Sequence, residues 1–235
     1  MSFILTFIAC LALQVLIQRR TGAPFQLAFR LSRGVASIGL AAVGYFALIY
    51  WSRLWRDAYL VHESGSLART LVFIPLGHFA ADFVLLGWAY VSHREKPRLD
   101  LCAHHGLGVI AGLVVLVYGI SQELYLVLFT TEIMPITTAI SALGLLRAQP
   151  ALERLGARLR LLTLIAWRLP LWIAVGVLIV DNLFFRSPDP LRGFGLRIGL
   201  FFLVFTLTLD VVWTRASVKA LRRMNAQGLP APAKA

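Results

Sequence analysis

The chain has 235 residues, 59% of them hydrophobic and 14% charged, with a mean hydropathy of +0.77. A soluble domain of this length cannot bury that much apolar surface, so water is excluded as the main solvent. The formal charge of +12 would suit nucleic acid, but the Lys and Arg residues lie in short stretches between apolar blocks and form no single patch or stripe, which argues against that partner.

Apolar runs of spanning length occupy residues 3–18, 35–51, 70–91, 101–119, 124–146, 161–185 and 196–213. They lack strand alternation, and only helices or closed barrels satisfy backbone polar groups within lipid, so all seven are read as transmembrane helices. The first run has no basic segment before it and no small-residue cleavage site after it, so it is read as a retained span rather than a signal peptide. The two cysteines, Cys10 and Cys102, define no disulfide framework and no metal-type spacing.

Sixteen Lys and Arg residues follow spans one, three, five and seven, six lie on the opposite side, and Arg168 lies within span six. By the positive-inside rule the N-terminus is outside and the C-terminus cytoplasmic. Spans two to four and five to seven would have opposite topologies, which admits a 3+3 inverted repeat. The organisation expected is a peripheral span with its loop (1–34), a membrane domain (35–223) and a disordered tail (224–235) around Pro230 and Pro232.

Ionisable groups within spans ask for partners, because lipid does not solvate them. Span three carries His78 and Asp82, span four His104 and His105, span five Glu132, span six Arg168 and Asp181, and span seven Asp210. Counted at the helical rise, His105, Arg168, Asp210, Asp82 and Glu132 lie from roughly 6 to 20 Å deep on the basic side. A shared cavity lined by Asp82, Glu132 and Arg168, with Arg168 as countercharge, would relieve the cost together. A structural ion-pair network satisfies the same argument. Adjacent helical residues differ by about 100° around the axis, so one of His104 and His105 faces the cavity while the other packs against a neighbour. That spacing also makes a poor metal site, and none is expected. Gly108 and Gly112 have the spacing of a close helix contact.

The stretches GHFAADFVLLGWAY, CAHHGLG and FTTEIMPITTAISALG, with AWRLPLW and LDVVWTRASVKALRR later in the chain, resemble the TLC-domain family, which includes the ceramide synthases. The His pair at the start of a span, Glu132 followed by Pro135, and Arg168 before Pro170 carry the likeness. After the His pair the chain continues GLGVIAGLVVLVYGIS, without the longer synthase motif, and so resembles the smaller non-synthase members more closely. The resemblance implies a six-helix barrel of spans two to seven around a lipid-sized cavity, a peripheral first span, and a role in lipid metabolism or handling.

The expected chemistry is an acyltransferase-like reaction on a lipid amine or hydroxyl. His104 or His105 would act as base or nucleophile, supported by Asp82 or Glu132, and Arg168, His78 and Asp210 would bind substrate. No tightly bound cofactor is expected; acyl-coenzyme A would be a co-substrate and membrane lipids the partners. The alternative is a non-catalytic lipid-binding, lipid-transfer or membrane-composition protein, and a proton-coupled transporter is a third reading.

Overall fold

A computed structural model describes residues 1–50, 60, 65–94, 96, 98–118, 120–186 and 189–227. Among them are seven helices long and apolar enough to cross a membrane. They are α1 (Ser2–Thr21), α2 (Phe25–Tyr50), α3 (Ser66–His93), α4 (Leu99–Tyr118), α5 (Gln122–Leu146), α6 (Pro150–Phe185) and α7 (Pro190–Gln227). The all-helical fold and the multi-pass membrane character read from the apolar runs hold.

The helices outrun those runs at their arginine-rich ends. Helix α2 begins at Phe25, so residues 25–34, expected in a loop, are helical. Phe25, Ala28, Phe29, Ser32 and Gly34 are its buried residues there, the first four spaced at three and four along one face. Helix α6 begins at Pro150, where the fixed φ and missing N–H of proline suit a first turn. Helix α7 runs to Gln227, so residues 224–227 are helical; the rest of the expected tail, 228–235, lies outside the described residues.

In packing, α2 lies on α5, α5 on α6, α6 on α7, α7 on α4, α4 on α3 and α3 on α2, and α1 packs against α2 and α3. Glycines allow several of these approaches. A Cβ at Gly44 would meet the backbone of Phe129 and Thr130, and one at Gly34 would meet Ala139, which brings α2 tight against α5. The Gly108 and Gly112 reading holds. A methyl group at Gly108 would strike the Phe79 ring and one at Gly112 would strike Leu76 and Tyr125, while the Tyr125 hydroxyl donates to the Gly108 carbonyl at 2.9 Å.

Two helices are irregular at the same level. Helix α5 tightens to a 3-10 turn over Leu128–Glu132, just before Pro135, and α6 widens to a π turn over Leu164–Arg168, just before Pro170. A proline inside a helix removes one backbone donor and its ring crowds the carbonyl four residues earlier, so the preceding turn departs from α geometry. Glu132 and Arg168 each end such a turn. The start of α5 is the most enclosed segment, with every residue from Ile120 to Val127 buried.

Candidate functional site

The expected polar residues divide into three groups. The first surrounds Asp82. Arg33 of α2 places Nε 2.7 Å from Asp82 Oδ2, and the same oxygen lies 3.4 Å from His105 Nδ1 and 3.7 Å from His78 Nε2. Arg33 Nη2 lies 3.1 Å from His105 Nε2. A guanidinium only donates, so Nε2 accepts and the ring proton sits on Nδ1, facing Asp82. His105 is fully buried; its Nε2 is engaged by Arg33, while its Nδ1 stands 3.4 Å from Asp82 Oδ2 outside hydrogen-bond geometry. His78 extends the chain of contacts to α1, where Cys10 Sγ lies 3.5 Å from His78 Nδ1.

The second group centres on Arg168, which is fully buried. Its Nε donates to Asp210 Oδ2 at 2.9 Å, and Trp172 Nε1 donates to the same oxygen at 2.9 Å. The guanidinium carbon lies 5.8 Å from the Trp172 ring centroid and 5.6 Å from that of Trp213. Such cation–π contacts offset part of the cost of burying the charge. Nη1 and Nη2 are buried and, among the described residues, find no hydrogen-bond partner, nor does Asp210 Oδ1.

The third group lines a cavity of about 130 Å³ between α4, α5, α6 and α7, walled mostly by Leu, Val, Ile, Ala and aromatic side chains. Its register follows from the helix directions. His104 and Glu132, with Thr131, Trp172 and Thr206, mark the end toward the arginine-rich side; Ser121, Ile179 and Gly195 mark the other. Leu60 closes that far end. Its N–H donates to Asn182 Oδ1 at 2.9 Å, and its carbonyl accepts from the Ser121 N–H at 2.8 Å. Along α4 the lining runs from His104 to Val115, about 17 Å at the helical rise. Glu132 accepts from Ser37 at 3.4 Å, and the His104 ring stands edge-on to Trp213 with centroids 5.3 Å apart.

Of the residues expected to share one cavity, Glu132 and His104 do so. Asp82 and Arg168 do not line it, and Arg168 is not the countercharge for the carboxylates expected: Asp82 pairs with Arg33, and Arg168 with Asp210. The reason is the early start of α2, which carries Arg33 to the level of Asp82. Asp210 sits with Arg168 and His78 with Asp82, both away from the cavity lining. Asp181 forms a partly exposed pair with Arg186, 3.0 Å apart. Among the described residues no three His, Cys, Asp or Glu side chains converge as a metal-binding set.

Sequence reasoning missed Arg33, Ser37, Cys10 and Glu123. The buried Glu123, which accepts from Ser121 Oγ at 3.2 Å, lies just before the apolar run of span five. The signal for Arg33 was the three-four spacing of Phe25, Ala28, Phe29 and Ser32, which continues the helix into the basic stretch. At the arginine-rich end, Arg98 Nε and Nη2 donate to the two Asp100 oxygens, each at 3.0 Å, and this bidentate pairing holds the Arg98 guanidinium above its ordinary pKa. Asp100 also accepts from Trp213 Nε1 at 3.0 Å.

The fold and these sites define a polytopic helical membrane protein with an apolar cavity that ends on a His and a Glu. No family model, curated protein or solved structure matches the chain.

Proposed function

We propose that the chain is a lipid-metabolism protein of the TLC-domain type, in which α2 to α7 form a six-helix barrel and α1 is peripheral. The cyclic packing order α2, α3, α4, α7, α6, α5 supports this reading. It also suits a 3+3 inverted repeat, since exchanging α2–α4 with α5–α7 maps the two seams, α2 with α5 and α4 with α7, onto themselves. The arginine-rich end is assigned to the cytoplasm.

The reaction proposed is acyl transfer to a lipid amine or hydroxyl, and the observation that carries it is the apolar cavity ending on His104 and Glu132. An acyl chain would lie along the cavity with its carbonyl at that end. The neutral His104 ring takes the proton of the acceptor as its N or O attacks the carbonyl of an acyl-coenzyme A thioester. The C–S bond then breaks, and the imidazolium returns the proton to the departing thiolate. Glu132 stabilises the imidazolium. Asp82, Arg33 and His105 act one layer behind, fixing α2, α3 and α4 around the site.

The test is lipidomics of a deletion strain complemented with wild type, His104→Ala, His105→Ala or Glu132→Gln at matched membrane levels. The expected result is loss of one lipid class with His104→Ala, corresponding to a fall of roughly two to four orders of magnitude in rate. Full restoration by His104→Ala overturns the catalytic reading and leaves lipid binding as the function of the cavity.

A further inference from the structure

A second cavity, of about 240 Å³, opens among the arginine-rich ends of α2, α5, α6 and α7. Four guanidinium side chains line it, Arg30 and Arg33 from α2, Arg98 before α4 and Arg160 from α6, against one lining carboxylate, Glu153. Arg160 contributes a buried Nε that has no hydrogen-bond partner among the described residues. The positive-inside rule accounts for basic residues on this side of the bundle, but not for four of them converging on one concavity from separate segments. We propose that this cavity is a phosphate-binding vestibule, in which the converging guanidinium groups of Arg30, Arg33, Arg98 and Arg160 hold the anion. Planar guanidinium forks match phosphate oxygens in pairs, and a concave site of one sign focuses that field.

The vestibule adjoins the chemistry proposed above. Met134 and Trp213 line it, and the Trp213 ring also packs edge-to-face with that of His104, centroids 5.3 Å apart. Two ligand types share this chemistry: the phosphate of an anionic lipid headgroup and the polyphosphate of a soluble cosubstrate. Phosphate binding does not depend on acyl transfer at His104.

Binding is measured on the full chain in neutral phosphatidylcholine nanodiscs, as the shift in thermal unfolding with inorganic pyrophosphate and, separately, with phosphatidic acid included in the disc. Wild type is expected to be stabilised saturably. Arg160→Gln and Arg30→Gln should each weaken the response roughly tenfold or more, since each removes a charge-assisted contact. Arg147→Gln, which makes the same charge change on the same side but outside the lining, should leave it unchanged, as should His104→Ala. A response to pyrophosphate supports the vestibule with a soluble polyphosphate as its ligand; a response to phosphatidic acid alone supports it with a lipid headgroup. If Arg160→Gln does not fold, Arg30→Gln on α2 decides. No response to either probe, or equal weakening by Arg147→Gln, overturns the proposal. Full restoration of the lipid profile by His104→Ala, with phosphate binding intact, removes only the catalytic reading.

Discussion

Arg168 and Asp210 provide the sharpest test of the energetics. Arg168→Met leaves a buried carboxylate with Trp172 Nε1 as its remaining donor at 2.9 Å, and breaking a buried pair from one side costs about 3–5 kcal/mol. Asp210→Asn is milder. The amide oxygen can still accept from Arg168 and Trp172, and the guanidinium keeps its place over the Trp172 and Trp213 rings at 5.8 and 5.6 Å. Two such contacts at about 1 kcal/mol each bring the loss to about 1–3 kcal/mol. For a chain of this size 1 kcal/mol corresponds to about 2–4 °C, so Arg168→Met should lower Tm by about 6–20 °C and Asp210→Asn by about 2–12 °C. The double variant Arg168→Met with Asp210→Leu removes both charges and should recover about half of the Arg168→Met loss, the remainder being the unmatched Trp172 N–H at about 1–3 kcal/mol. The assay is thermal unfolding in detergent micelles followed by size-exclusion of the surviving fraction. The reasoning fails if Asp210→Asn is the more damaging single change, or if the double variant is no better than Arg168→Met.

The two histidines should separate by phenotype. His105→Ala strips a buried neighbour from Asp82 and Arg33 and should cost about 1–3 kcal/mol of stability, whereas His104→Ala, on the cavity wall, should leave the stability within about 1 kcal/mol; melts of the two purified variants check this. Gly108→Val drives a side chain into the Phe79 ring and should destabilise by about 1–3 kcal/mol, read as a lowered Tm, while Gly87→Ala, where a Cβ meets nothing, should not. With the native cysteines replaced by serine, a thiol at Lys96 should be labelled by a membrane-impermeant reagent from the cytoplasmic side only and one at Asp189 from the opposite side only; both residues are exposed, and the reverse pattern would invert the assigned topology.

Hydropathy located the seven spans but misjudged their ends, and that error hid part of the site. An apolar run stops where arginines begin, whereas a helix continues through the interface with its basic side chains reaching toward water. Helix α2 therefore begins ten residues before the run at 35–51 and carries Arg33, the partner that Asp82 required and the sequence did not identify. The His pair was legible in kind. The angular separation of neighbours on a helix required one ring to face a cavity and the other a helix, but which one depends on the rotation of α4, which Phe79 packing on Gly108 and the Tyr125 hydroxyl bond to its carbonyl help to set. Pro135 and Pro170 were visible, but the turn each would distort was not, because a helix can answer a proline by tightening or widening.

The division of charges has a chemical consequence. Asp82 is tied to Arg33 and two histidines, and Arg168 to Asp210 and two indoles, so each pair is compensated locally and braces several helices at once: α2, α3 and α4 in one case, α6 and α7 in the other. Buried pairs of this kind resist replacement of a single member more than they add stability, so they serve as supports fixed in position. Glu132 and His104 are left facing an apolar cavity. There the local dielectric is low, a charge formed on His104 interacts strongly with Glu132, and the irregular turn that ends at Glu132 carries the carboxylate at that level of the cavity. The two compensated pairs hold the helices around this one, so a proton moved at His104 changes the charge of the cavity without disturbing the frame.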